Sequence, residues 1–165
     1  MMRDKRFVAV HRGGILTKEH HRHLMWWARE CCQHVLPLMK SPIDDRLIHA
    51  LQVAQNWEEG IVGTGVAMKA SLGAHAVARE LSDPTSIAIA RAIGQTVATA
   101  HMADHSLGGA IYGLLAVQRA GRSVADERDW QGQRLQRLPP DLMELVKSTM
   151  FQKINSLKSF ATLLD

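Results

Sequence analysis

The stretch with the most reactive-looking side chains is Ala98-Thr99-Ala100-His101-Met102-Ala103-Asp104-His105. On a continuous helix His101 and His105 stand four apart on one face, with Asp104 three residues from His101. Two imidazoles at that spacing can share one metal ion, because their ring nitrogens converge over one turn. The residues between them lack the glutamate of a zinc-protease helix, so a third ligand must come from elsewhere, with His75, Glu127 and His20 as candidates. Two ligands do not make a site. The favoured reading is that these groups hydrogen-bond one another inside a tightly packed bundle.

Two further clusters carry polar chemistry. In His11-Arg12-Gly13-Gly14, glycines after a basic pair let backbone amides approach an anion. The full phosphate-loop spacing is missing and no strand precedes it, which disfavours nucleotide binding. The simpler expectation is a turn whose Arg12 pairs with a carboxylate such as Asp45 or Glu127. In Glu127-Arg128-Asp129-Trp130-Gln131, Trp130 can anchor a partner or fill the core, and Glu127 can act as a base if its pKa is raised. A core position for Trp130 and a salt bridge for Glu127 are the favoured readings. The run His20-His21-Arg22-His23 spreads round a helix and is expected at the surface. Cys31 and Cys32 are adjacent, so on a helix they cannot bridge each other without distorting the backbone. They are expected to be reduced thiols behaving as small hydrophobes. Nucleophilic use of either requires a base such as His34, and no nucleophile-elbow context exists.

The elements that must position these groups read as helices throughout. The chain has 165 residues, of which 46% are hydrophobic, 22% charged and only 5% aromatic. That suits one domain, 1–165, with its own apolar core. Residues 1–16 look irregular, with Gly13-Gly14 as a turn. From Thr17, Leu24, Trp27, Ala28, Cys31, Val35 and Leu38 form one face of a first helix. Asp44 caps a second helix that Gly60 stops. A third runs from about Gly63 to Leu81. A fourth opens at Asp83-Pro84 and continues to about Met102 or beyond. A fifth covers Ser106 to Ala120, and a sixth Ser123 to Arg137. After Pro139-Pro140, a last helix in 141–165 carries the stripe Leu142, Val146, Met150, Ile154, Leu157, Ala161 and Leu164, long enough to pair with another copy. The expected fold is therefore an all-α, single-domain bundle of six to seven helices. Ala70, Ala74 and Ala78, then Ala90, Gly94 and Ala98, then Gly109 and Gly113 recur every four residues, which lets helix axes approach closely.

Charge and apolar runs limit the function classes. Residues 1–40 hold eight Lys and Arg against three Asp and Glu, whereas 41–118 hold four against seven. The basic end suits an acidic partner surface. The apolar run Phe7–Val10 is too short for a signal peptide, and no later stretch approaches a membrane span, so a soluble, cytoplasmic protein is expected. No cofactor is implied.

Several of these residues also resemble a known family. Arg6-Phe7-Val8-Ala9, His11-Arg12-Gly13-Gly14, His21-Arg22, Leu24, Trp27-Ala28 and Cys31 look like the start of the small bacterial proteins called putative immunity proteins. Asp45-Arg46, Ala50, Ala54 and Trp57 continue the likeness, as do Val97 to His105 and Glu127-Arg128 with Trp130-Gln131. It spans about residues 6–150, and residues 152–165 extend past the usual end. Some relatives carry an exonuclease-subunit name, which nothing in this chain supports. The resemblance implies a non-enzymatic, all-helical protein that neutralises a cognate bacterial toxin by direct binding. His11, Arg12, Asp45, Arg46, His101, Asp104, His105, Glu127, Arg128 and Trp130 are its candidate binding cluster. The net charge of +4 disfavours mimicry of nucleic acid. The alternatives are a metal-dependent, hydrolase-like bundle enzyme using His101 and His105, and a scaffold oligomerising through 141–165.

Overall fold

The periodic stretches become seven α-helices in the computed structural model, which describes residues 4–164 apart from the side chains of 158, 159 and 161. They are α1 (Lys18–Val35), α2 (Asp45–Glu58), α3 (Thr64–Glu80), α4 (Pro84–Ala98), α5 (His105–Arg119), α6 (Val124–Leu135) and α7 (Pro140–Ser156). Side-chain caps open four of them: Thr17, Asp44, Asp83 and Ser123 each accept a first-turn backbone N–H. Gly60 and Gly121, with φ of 76° and 73°, lie just beyond the ends of α2 and α5 in the left-handed region that favours glycine. Ahead of α1, two short 3-10 turns, Lys5–Phe7 and Val10–Arg12, form a loop closed by a single bridge between Ala9 and Leu16. Phe7 and Leu16 fasten this loop to the core.

Helix α4 lies at the centre, packed against α1, α2, α3 and α5. Its buried residues, Ala88, Ile89, Ala90, Ala92, Ile93 and Val97 among them, surround the helix axis, the pattern of a fully enclosed helix. The small-residue rows allow this. A Cβ on Gly94 would stand 2.6 Å from Nε2 of His75, which lies over that glycine from α3. A Cβ on Gly109 would collide with the Thr96 hydroxyl and stand 3.3 Å from Cβ of Ala28. The glycines therefore set the α3–α4 and α4–α5 spacings. Among the described residues, no helix is long and apolar enough to cross a membrane.

Two elements depart from expectation. Helix α4 ends at Ala98, not at Met102, and residues 99–104 form a turn that reverses the chain into α5. His101 and His105 thus do not share a helix face, and the i, i+4 geometry assumed for a metal pair is missing. The C-terminal stripe also stops early. After α7, Leu157 is extended at φ −115°, and the 3-10 segment Lys158–Leu164 returns onto α5. Phe160 and Leu163 are buried there, with the Phe160 ring edge-on to Tyr112 at 5.4 Å. Burying those two side chains on α5 removes them from water, which a projecting helical arm would not do. The Ala161 side chain of the expected stripe, like residues 1–3, lies outside the described residues.

Candidate functional site

The N-terminal loop and the 99–104 turn together build one wall of a cleft. Gly13, at φ 86°, turns the loop, while Val10 N–H donates to the Leu16 carbonyl and Leu16 N–H to the Val8 carbonyl, both at 3.0 Å. This places Arg12 beside the turn, where its Nη2 donates to Nδ1 of His101 at 3.2 Å. His101 therefore carries its proton on Nε2 when neutral. Below it, buried His21 donates from Nε2 to the Thr99 carbonyl at 2.5 Å and meets the Trp57 ring edge-on at 4.7 Å. Burial pushes the His21 pKa down, and the nearby His11 and Arg12 add to that, against the opposing pull of the Thr99 carbonyl. The ring is thus held neutral as a strut between α1 and the α4–α5 turn.

The cleft itself has a volume of about 700 Å³ and lies between this wall, the start of α1 and the α2–α3 loop. His11, Lys18, His21 and Arg22 line it, and among the described residues no Asp or Glu does. Lys18 and Arg22 enter no ion pair among the described residues, and the Arg22 Nε is buried without a hydrogen-bond partner. The positive end of α3 opens here too. Its N-cap is Gly63, which has no side chain to accept a first-turn amide, and its first turn holds no acidic residue. At Gly60 even a Cβ would stand 3.1 Å from Nη2 of Arg22, so the backbone closes tightly over the guanidinium. Val10 and Ile61, 57% and 66% exposed, form an apolar rim. Cations, an uncapped helix end and exposed apolar groups together suit a carboxylate flanked by apolar side chains.

A second cluster lies where α1 meets α6. Nδ1 of His34 is 2.8 Å from Oε2 of buried Glu127, and the His34 ring stacks on Trp130 at 3.7 Å with an interplanar angle of 3°. The Arg134 guanidinium lies 5.0 Å from the centre of the Trp130 ring. Glu127 thus pairs with His34 and not with Arg12. An imidazole oriented by a carboxylate can relay a proton, but the nearby thiols do not supply a nucleophile. Cys31 and Cys32 are fully buried, and burial raises both thiols, Cys32 to about 12, so they stay protonated at neutral pH.

The remaining candidates fall elsewhere. Asp45 is exposed at the start of α2, and Arg46 forks between Asp44 and Glu80 at 2.9 and 2.5 Å. Hydrogen bonds from Arg46 lower the Asp44 carboxyl to about 2. His105 bonds the Gln95 amide at 2.8 Å, and His75 faces Arg91 at 2.8 Å. Arg128 borders a small cavity between α6 and α7. Of the ten residues expected to converge, only His11 lines the basic cleft; Arg12 and His101 pair beside a smaller neighbouring cavity that shares Ala9 and His21 with it, and Asp104 lies in the same turn as His101. Glu127 and Trp130 share the second cluster. Among the described residues, no three His, Cys, Asp or Glu side chains gather as a metal ion requires. Sequence reasoning left Lys18, His21, Arg22 and His34 out of the candidate cluster, although it named His34 as a possible base for the cysteines and His21-Arg22 as part of the family likeness. His21 was placed at the surface, yet it lies three residues before Leu24 and seven before Ala28, on the face that the α1 periodicity already marks as inner.

A family model described as Imm-5 like putative immunity protein matches residues 14–138. No curated protein and no solved structure matches the chain.

Proposed function

Since the chain belongs to the Imm-5-like putative immunity protein family, we propose that it neutralises a bacterial toxin by direct binding, with the basic cleft as the contact. The observation that carries this reading is the concentration of Lys18, Arg22, His11 and the open α3 N-terminus around one cleft that no described carboxylate lines. Such a surface selects a partner of opposite potential and speeds encounter with it. The exposed Val10 and Ile61 add apolar area beside the charges, the composition of a protein contact more than of a nucleic-acid groove. The toxin segment it accepts is acidic with apolar neighbours. A toxin surface shaped to hold nucleic acid is the wrong sign for this cleft.

The test is co-expression of the chain with the toxin encoded beside its gene, read as cell survival and as complex formation between purified proteins. Charge reversal of Lys18 and Arg22 to Glu is expected to weaken the complex by about a hundredfold or more and to abolish protection, since each reversal turns attraction into repulsion. Raising salt is expected to slow association of the unaltered protein. Protection and affinity that survive the double reversal, in a variant with unchanged helical content, would refute this contact.

A further inference from the structure

A cavity of about 230 Å³ lies between α1, α6 and α7, away from the basic cleft. Its walls are mostly apolar, with Trp27, Leu135, Val146 and Ile154 among them, and Phe151, 59% exposed, is one of its lining residues. Three residues break that character. Gln131 is only 2% exposed, and its side-chain amide is anchored through its nitrogen. Its Nε2 donates to the Ala110 carbonyl at 3.0 Å, and its own backbone carbonyl accepts from Trp27 Nε1 at 3.1 Å. The amide therefore cannot be flipped without losing a bond, and its Oε1 is left buried with no donor. Arg128 also lines the cavity, and its Nε is buried with no acceptor. Lys147 adds a second cation from α7, and among the described residues no Asp or Glu lines the space. One acceptor lacks a donor, one donor lacks an acceptor, and two positive charges face apolar walls. Buried polar groups in this condition cost free energy that a complementary ligand restores.

We propose that this cavity binds a small apolar carboxylic acid that carries an N–H or O–H donor near its carboxylate. Because Arg128 Nε and Gln131 Oε1 are closed off before binding, their side chains turn toward the space as the ligand enters: the carboxylate then accepts from the Arg128 guanidinium and faces Lys147, the donor meets Gln131 Oε1, and the apolar body fills the space beside Trp27. The volume limits the ligand to a compact acid, below the usual size of a cofactor site. The α7 walls, Val146, Lys147 and Ile154, come after residue 138, where the family match ends. The site is thus built partly from chain outside that match.

The probes are indole-3-acetate, which has both groups, and indole-3-acetamide, which keeps the N–H but lacks the charge. Titration of the full chain is followed by calorimetry and by the side-chain amide NMR signal of Gln131. The acid is expected to bind and shift that signal, with the amide at least tenfold weaker. Two variants keep the result independent of folding. Gly132 lines the cavity, and a Cβ there meets nothing within 4 Å, so Gly132→Met fills the space while improving helix propensity. Arg128→Met removes the charge at similar length. Both are expected to lose at least tenfold in affinity for the acid. Equal binding of acid and amide, no binding at millimolar acid, or unchanged binding to a folded Gly132→Met protein would each overturn the proposal.

Discussion

Replacing Gly109 by alanine tests whether glycine spacing really fixes the core. The substitution favours the helix intrinsically by about 1 kcal/mol. In α5, however, the new methyl meets Thr96, 0% exposed, and stands 3.3 Å from Cβ of Ala28. Thr96 cannot rotate away freely, because its hydroxyl lies 2.9 Å from the Cys32 sulfur and also donates to the Ala28 carbonyl at 3.4 Å. Overpacking a close-packed core costs about 1–3 kcal/mol, and stranding a buried hydroxyl adds about 1–3 kcal/mol. The net expectation is a loss of about 1–5 kcal/mol, with each kcal/mol lowering Tm by about 2–4 °C for a chain of this size. Gly73→Ala supplies the contrast: it sits within α3, and its Cβ would enter open space. That variant should gain up to about 1 kcal/mol. Urea denaturation followed by circular dichroism, with unchanged m-values, gives both numbers. Adding Thr96→Ala to Gly109→Ala should cost less than the two losses summed, because it vacates the contested space. A Gly109→Ala protein as stable as the unaltered chain would refute the packing argument.

Other parts of the molecule make independent predictions. Burial holds both His21 and His75 below the ordinary value of 6.5, so the unfolded chain takes up protons there before the folded one does. Stability is then fully present above about pH 6.5 and falls as pH drops below it, by at most about 1.4 kcal/mol per pH unit for each proton. His21→Gln, which keeps a donor for the Thr99 carbonyl, should flatten urea midpoints measured from about pH 7.5 to 5.5; an unchanged slope contradicts the assignment. Arg29 clamps Glu58 across α1 and α2 at 2.5 and 2.9 Å in a largely buried pair. Glu58→Gln should cost about 1–3 kcal/mol, and the pair Arg29→Met with Glu58→Leu should recover most of it, as judged by thermal melts. Both thiols are buried, so an aromatic disulfide reagent should label them only as fast as the protein opens. Labelling within seconds in native buffer would refute that. Truncation after Ser156 uncovers the α5 surface that Phe160 and Leu163 protect. It should cost about 1.5–3 kcal/mol for each side chain, and a Tm that does not move would show that the segment is not docked.

Helices were legible because their signals are local: caps at Asp44, Asp83 and Ser123, stops at Gly60 and Gly121, and apolar stripes between them; the cap at Thr17, where the helical pattern was seen to begin, emerged only in the structure. The small-residue rows likewise foretold the close approach of α3, α4 and α5, since Gly94 and Gly109 lie under His75 and Thr96. Partners were harder to read. Nothing near Arg12 in sequence points to His101, because the pair exists only once the N-terminal loop is pinned by Phe7 and Leu16. Glu127 was matched to a cation from the wrong segment for the same reason: His34 reaches it from α1 across the bundle. The turn at 99–104 was blurred because Thr99, Ala100 and Ala103 are all tolerated in helices, so composition gave no stop signal. The C-terminal stripe failed at Leu157, where helical periodicity continues in sequence while the chain bends to place Phe160 and Leu163 on α5.

The polar groups that carry the family likeness have mostly found partners inside the protein. Arg12 holds His101, His21 holds the Thr99 carbonyl, Glu127 holds His34, and Arg46 holds Asp44 and Glu80. A group already satisfied has little to gain from a ligand, because binding only exchanges one partner for another. The gain lies with groups left wanting: Lys18 and Arg22 at the basic cleft, and Arg128 Nε with Gln131 Oε1 at the α6–α7 cavity. This divides labour between frame and contact. The paired residues fix the loop, the turn and the cleft wall, and on the proposed reading the unpaired ones choose what is bound. On the reading proposed above, toxin specificity changes by replacing Lys18 or the rim at Val10 and Ile61, all three exposed, and by changes at the part-buried Arg22. Such exchanges alter charge and apolar area at the contact, while the Arg12–His101 and His21–Thr99 struts keep its shape. Charge reversal at exposed Lys18 should therefore weaken binding while changing stability by no more than about 0.5 kcal/mol, whereas His21→Ala should lower stability and distort the cleft for every partner alike.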